Sequence, residues 1–310
     1  MFFIKHTLCI ATCVAACASM ACAGQSPKSI RLLTVGNSFS GNATHFLRDI
    51  AASTGREIIL QRADLPGCPM ERHWRLVEAA EAKPASPEGR PYSIAVDGKA
   101  RQMSLREILR SDKWDVVTIQ QASPISTDIS GYRPYARKLR DYIRKHAPQA
   151  EVVVHETWAY RRDDPRFATG EDSQELMYRK LRAAYETIAG ELDLRIIPVG
   201  DALYLADTDK RWGYRPASFD PAMLKHPDLP DQKHSLHAGW QWSKNPDGTP
   251  RLFMDGHHAS ALGQYLAACV WFEFLFDADA KEVTFVPKGI PVSTAKYLRA
   301  VAHSAVSARR

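Results

Sequence analysis

The segment Ile30-Arg31-Leu32-Leu33-Thr34-Val35-Gly36-Asn37-Ser38-Phe39-Ser40 runs from an apolar stretch straight into a short polar turn. The apolar part reads as a strand, and residues from about Asn42 to Ser53 read as the helix that follows it. A serine between the two stands at the carboxyl edge of an open α/β sheet, where ligands bind. The N–H groups of the following helix favour a developing oxyanion there. On this segment alone, Ser38 or Ser40 reads equally well as the cap of the helix.

Beyond this segment, strand-like runs at residues 57–61, 114–120, 151–155 and 195–199 alternate with helix-like segments. The latter run from the Gly67-Cys68-Pro69 turn through Ala80 and over 132–146, 172–190, 259–276 and 293–308. This alternation predicts an α/β fold with five mostly parallel strands and crossover helices. Two stretches interrupt it. Residues 83–104 read as an insertion ending in a hairpin, Tyr92 to Met103, that turns at Asp97-Gly98. Residues 207–250 carry Pro, Trp, His and Asp without a period, and read either as a lid or binding loop or as a folded insertion with a small core. Trp212, Tyr214, Trp240 and Trp242 would stack on sugars in the first case and on one another in the second.

The length of 310 residues, with 45% hydrophobic and 25% charged, fits one globular domain with a sizeable core and excludes a disordered chain. Lys5 and His6, an apolar run from Thr7 to Met20 and Ala21-Cys22-Ala23 have the layout of a secretory signal peptide over 1–23. The mature domain is then expected over 24–310, in the periplasm or outside the cell. The apolar run falls short of the roughly 20 residues that span a bilayer, so no membrane insertion is expected after cleavage. Val14-Ala15-Ala16-Cys17 loosely resembles a lipobox, which leaves lipid anchoring at Cys17 as an alternative. Four of the six cysteines leave with this segment, and Cys68 and Cys269 are expected to stay unpaired. No Cys/His spacing suggests zinc. The net charge of +6 becomes about +5 when Lys5 is removed, and with no basic stripe no nucleic acid is expected as partner.

Near the other end lies Asp255-Gly256-His257-His258-Ala259-Ser260, expected as a polar loop ahead of a helix. A serine hydroxyl needs an imidazole to take its proton and a carboxylate to hold that imidazole in one tautomer. An aspartate three residues before a histidine can fold back to the ring nitrogen remote from the serine. Asp255 and His258 therefore read as orienter and base, while His257, two residues from Asp255, fits less well. Metal binding or plain turn chemistry remains open for this block by itself.

Together the two blocks resemble the SGNH hydrolases, also called the GDSL esterase and lipase superfamily, and most closely a branch whose serine block reads Gly-Asn-Ser-Phe-Ser. Gly67 to His73, Gln120 to Ser123 and Thr157 to Tyr160 also look like segments of that branch. The resemblance implies a flavodoxin-like three-layer α/β/α sandwich with Ser38 as nucleophile and Asp255 and His258 completing a triad. It implies an oxyanion hole made by the backbone N–H groups of Ser38 and Gly67. The asparagine that usually supplies a third donor is absent, and Gln121 is expected in its place. Asn37 stands where the better-known motif has Asp, and is expected to brace the turn. His155, Trp158 and Tyr160, at the end of the fourth strand, are candidates to line the substrate pocket.

The expected activity is a secreted serine esterase working through an acyl-enzyme, with no metal or organic cofactor, on a small-molecule or polysaccharide ester. A carbohydrate O-acetylesterase fits best. A lipid esterase, lysophospholipase or thioesterase is the enzymatic alternative, and a noncatalytic glycan-binding protein the alternative of another class.

Overall fold

The computed structural model describes residues 27–96 and 98–310. The expected signal peptide, the lipid-anchor alternative at Cys17 and Asp97 of the hairpin turn lie outside the described residues. The first strand, β1 (Ser29–Gly36), is an inner strand buried along nearly its whole length. Ile30 and Leu32 face one core, while Leu33 and Val35 face the other, as the period of two in a strand requires. A strand covered on both sides has no polar face, hence its unbroken apolar run. With β2 (Glu57–Asp64), β5 (Val116–Ile119), β6 (Glu151–His155) and β7 (Ile196–Ile197) it forms a five-stranded parallel sheet in the order β2-β1-β5-β6-β7. The strand order reverses between β1 and β5, and a ligand crevice is expected at the carboxyl ends of these two strands.

One helical layer holds α1 (Ser38–Ala43), α2 (Leu47–Ala52), α7 (Val199–Thr208), α8 (Ala261–Phe276) and α9 (Val292–Ser307). The other holds α3 (Met70–Ala82), α4 (Leu105–Ser111), α5 (Tyr135–His146) and α6 (Gln174–Leu192). This is the expected three-layer α/β/α sandwich. Two hairpins stand apart from the main sheet, β3 (Tyr92–Val96) with β4 (Lys99–Met103), and β8 (His237–Lys244) with β9 (Pro250–Ala259).

Several local expectations are corrected. The first helix starts at Ser38 rather than Asn42, because Asn37 caps it by accepting from the Phe39 N–H. The strand expected over 195–199 is only two residues long; Pro198 has no N–H for the ladder and caps α7 instead. The block Asp255 to Ala259 is not a loop but the inner end of β9, and the stretch before it contributes β8. The aromatics of that stretch pack on their own neighbours: Trp212 stacks on His234 and Tyr297, Trp240 meets Phe219, and Tyr214 lies under Arg161. A folded insertion therefore describes residues 207–250 better than an open lid. Cys68 and Cys269 are both buried and free. Among the described residues no helix is long and apolar enough to cross a membrane.

Candidate active site

The turn after β1 is fixed from several sides. Asn37 Oδ1 accepts from the Phe39 N–H at 3.1 Å and from Gln120 Nε2 at 2.7 Å, and its Nδ2 donates to the Cys68 carbonyl at 3.2 Å. Gln120 Oε1 in turn accepts from the Ser40 hydroxyl and from His155 Nδ1. Gly36 is required by this crowding, because a Cβ there would lie 2.5 Å from Ser40 Oγ and 2.9 Å from the Gln120 side chain. The result is a rigid platform presenting Ser38, whose N–H lies in the first turn of α1 and has no intrahelical partner.

His258 reaches Ser38 from β9. Its Nε2 lies 2.9 Å from Ser38 Oγ, and its Nδ1 lies 2.9 Å from Asp255 Oδ2. Asp255 Oδ1 also accepts the backbone N–H of His258 at 3.0 Å. Burial opposes ionisation of Asp255, but the hydrogen bonds from the His258 side chain and backbone outweigh it and hold the carboxyl well below its usual range. The ionised carboxylate only accepts, so Nδ1 of His258 carries the proton and Nε2 is free to accept from the Ser38 hydroxyl.

Three further bonds set this arm against the body. Trp158 Nε1 donates to the His257 carbonyl at 2.9 Å, the Arg161 N–H donates to the Gly256 carbonyl at 2.7 Å, and the Ala259 N–H donates to Asn42 Oδ1 at 2.7 Å. The guanidinium of Arg161 is fully buried. It binds Asp163 through Nε and Nη2 and Gln232 through Nη1, and Gln232 clamps both backbone groups of Trp240 on β8.

Ser38 and His258 open into a cleft of about 390 Å³. Phe39, Pro66, Ala122 and Pro124 give it apolar walls, while Ser123, Tyr160, Arg166 and His257 add polar ones. Gly67 lies on the rim with φ +60°, a left-handed conformation that suits glycine. Its N–H makes no hydrogen bond within the protein among the described residues, so Ser38 and Gly67 offer two free backbone donors at one rim.

Gln121 is not with them. Its Nε2 donates to the Gly131 carbonyl at 2.7 Å, and its Oε1 accepts the N–H groups of Met70 and Ala122. It is fully buried, tying the start of α3 to the loop after β5, and the expectation that it supplies the third oxyanion donor is corrected. His155 also stays out of the cleft. It is buried beneath Gln120, and burial alone pushes its pKa down to about 3. Trp158 packs behind Phe39, with ring centroids 4.3 Å apart. Only Tyr160 of the three pocket candidates lines the cleft. Arg166, which the sequence does not single out, lines it too, as does His257, which the sequence weighs only as the lesser candidate for the base.

Asp255, His257 and His258 lie close enough together to hold a metal ion, as do Glu273, Asp279 and His303 elsewhere. An ion in the first group would compete for the His258 nitrogen that Asp255 holds.

A model of the family described as a domain of unknown function (DUF4886) matches residues 31–210, more than half of the chain. The chain belongs to the DUF4886 family. It is similar to the crystal structure of a DUF4886 family protein from Bacteroides uniformis, with 26% identity and a TM-score of 0.69 over 90% of this chain and 95% of that one. A protein from Slackia heliotrinireducens described as a candidate SGNH hydrolase is similar at 18% identity and a TM-score of 0.48, covering 79% of this chain and 98% of that one. A lipase/acylhydrolase from Enterococcus faecalis is similar at 12% identity and a TM-score of 0.45, covering 80% and 96%. No curated protein matches the chain. The DUF4886 match ends at residue 210, ahead of the β8–β9 arm that carries Asp255 and His258.

Proposed function

We propose that this DUF4886 protein is an exported serine esterase that removes short acyl groups, acetyl foremost, from a polar, sugar-like alcohol. The observation that carries this reading is the continuous relay from Ser38 through His258 to Asp255, with both links at 2.9 Å. In the proposed cycle Ser38 Oγ attacks the ester carbonyl while its proton passes to His258 Nε2. The carbonyl oxygen, now anionic, is met by the N–H groups of Ser38 and Gly67. His258 then gives the proton to the leaving alcohol, and water repeats the sequence on the acyl-enzyme. Asp255 keeps the imidazolium oriented throughout.

The small, open cleft and its polar wall support a short acyl chain over a long one. Hydrolysis of p-nitrophenyl esters from acetate to octanoate tests both parts. Activity is expected to be steepest on acetate and to vanish in Ser38→Ala. Equal rates for the two proteins would discard the esterase, and an optimum at eight carbons would discard the short-acyl preference in favour of a lipid esterase.

A further inference from the structure

Among the described residues the cleft carries no carboxylate on its walls, and Arg166 is the one cationic side chain that lines it. Arg166 belongs to the loop after β6, where Asp164 accepts its backbone N–H at 3.0 Å. Its Nε and Nη2 donate to the two oxygens of Asp164, each at 2.7 Å, and its guanidinium lies 3.6 Å from the centre of the Tyr160 ring. Tyr160 is itself held by a bond from its hydroxyl to Ser123 Oγ at 3.1 Å. One edge and one face of the guanidinium are therefore occupied by the protein. Nη1 has no partner among the described residues, and the arginine side chain remains 48% exposed against 2% for Asp164.

An arginine free in solvent loses rotamer freedom when it is fixed. Here that ordering has already been done by Asp164 and Tyr160, as in a preorganised binding group. The acceptor oxygens of Asp164 are buried, while Nη1 of Arg166 is left without a partner on the exposed side of the pair, so the wall offers hydrogen-bond donation from a charged group rather than acceptance. His257 lies between this wall and His258, with ring centroids 6.0 Å from Tyr160 and 4.1 Å from His258. Burial, the neighbouring His258 and Arg166 all favour its neutral form, against the pull of Asp255 and Asp164. His257 thus adds a hydrogen-bonding ring without adding a second charge.

The position tells which part of the substrate meets this wall. His258 must return its proton to the leaving oxygen, so the alcohol departs on the histidine side of the cleft. The two free N–H groups, and hence the carbonyl oxygen, lie on the side of Ser38 and Gly67. We infer that Arg166 is a specificity-determining residue that binds a carboxylate on the alcohol part of the substrate, which makes the preferred substrate an acylated sugar acid or another acylated hydroxy acid. The inference rests on the esterase reading above and narrows it to a substrate class.

Two aryl acetates that differ only in charge on the alcohol side test it, 4-acetoxybenzoate and its methyl ester. The quantity read is the ratio of kcat/KM for the charged ester to that for the neutral one, which cancels the intrinsic reactivity of each ester when proteins are compared. Losing a charge-assisted bond is expected to lower this ratio at least about tenfold in Arg166→Gln, mainly through KM, with Arg166→Lys in between. In the wild type the same ratio is expected to fall as salt rises from low to high concentration, a measurement that needs no variant to fold. A ratio unchanged by both substitutions and by salt overturns the inference while leaving the esterase in place. Hydrolysis of both esters that persists equally in Ser38→Ala overturns the esterase reading and the inference together.

Discussion

Ser38 stands on a turn whose supports come from the central sheet and its edge, whereas Asp255 and His258 stand on the inner strand of a hairpin that pairs with no strand of that sheet. The first region is over-determined. Gln120 alone meets Asn37, Ser40 and His155, so the turn that presents Ser38 cannot shift without breaking several buried bonds. The second region is joined to the body by Trp158, Arg161 and Asn42 at three consecutive carbonyl or N–H positions from Gly256 to Ala259, and by Arg161 to Gln232. The proposed nucleophile is thus built into the fold, while its proposed base stands on an arm fastened at a few points. Damage to the arm should remove activity before it removes the fold, and damage to the sheet side should do both.

The largest effect expected is on the base. Asp255→Asn keeps the size of the side chain but replaces an acceptor with a group that can donate to His258 Nδ1, favouring the wrong tautomer. A fall in kcat of about 10⁴-fold, with little change in melting temperature, is expected; a loss of activity matched by a loss of fold would erase the distinction between arm and sheet.

On the sheet side, Asp64 ends β2 beside Gly36, with Oδ1 accepting from Thr34 and Oδ2 buried without a partner. Burial pushes its pKa up to about 7, more than the bonds from Thr34 and Gly36 and the charge of Arg62 pull it down. Below about pH 4 the carboxyl is protonated in both the folded and the unfolded chain. From there to about pH 7 only the unfolded chain ionises, so stability falls as pH rises and levels off above the folded pKa. The loss is on the order of 4 kcal/mol, and urea titrations from pH 4 to pH 8 should show it in the wild type and not in Asp64→Asn.

Arg161→Met should cost about 3 kcal/mol by leaving Asp163 without its buried partner. Its signature is local: hydrogen exchange is expected to rise over residues 232–259 and to stay unchanged over β1. Uniform exchange throughout would mean that arm and sheet form one cooperative unit. The smallest effect is expected at Gln121. Gln121→Met removes the bonds to Gly131 and Met70, yet kcat should fall by less than about tenfold, where loss of an oxyanion donor costs roughly 100- to 1000-fold.

The same contrast governs what the sequence could reveal. β1 was legible because a strand buried on both faces leaves a continuous apolar run, and the serine turn follows it directly. β9 was not, since its burial pattern has no clean alternation and Asp255-Gly256 is a strong turn signal, so the base-bearing arm read as a loop. The triad residues could still be proposed because Asp-x-x-His spacing survives a change from loop to strand. Gln120 and Gln121 show a different limit. Neighbouring residues at a strand end point to opposite sides, and the sequence does not say which amide turns toward the serine. It is Gln120 that braces the nucleophile turn, and Gln121 that ties α3 to the neighbouring loop. Arg166 gave no signal at all, because its role depends on Asp164 and Tyr160 folding around it in an aperiodic loop.

The assignment of nucleophile and base is most exposed to a covalent probe. A fluorophosphonate is expected to add one phosphonyl group to the peptide containing Ser38, as read by mass spectrometry, with no adduct in Ser38→Ala and a strongly slowed one in His258→Ala. An unreactive wild type, or an adduct on any other residue, would contradict the account.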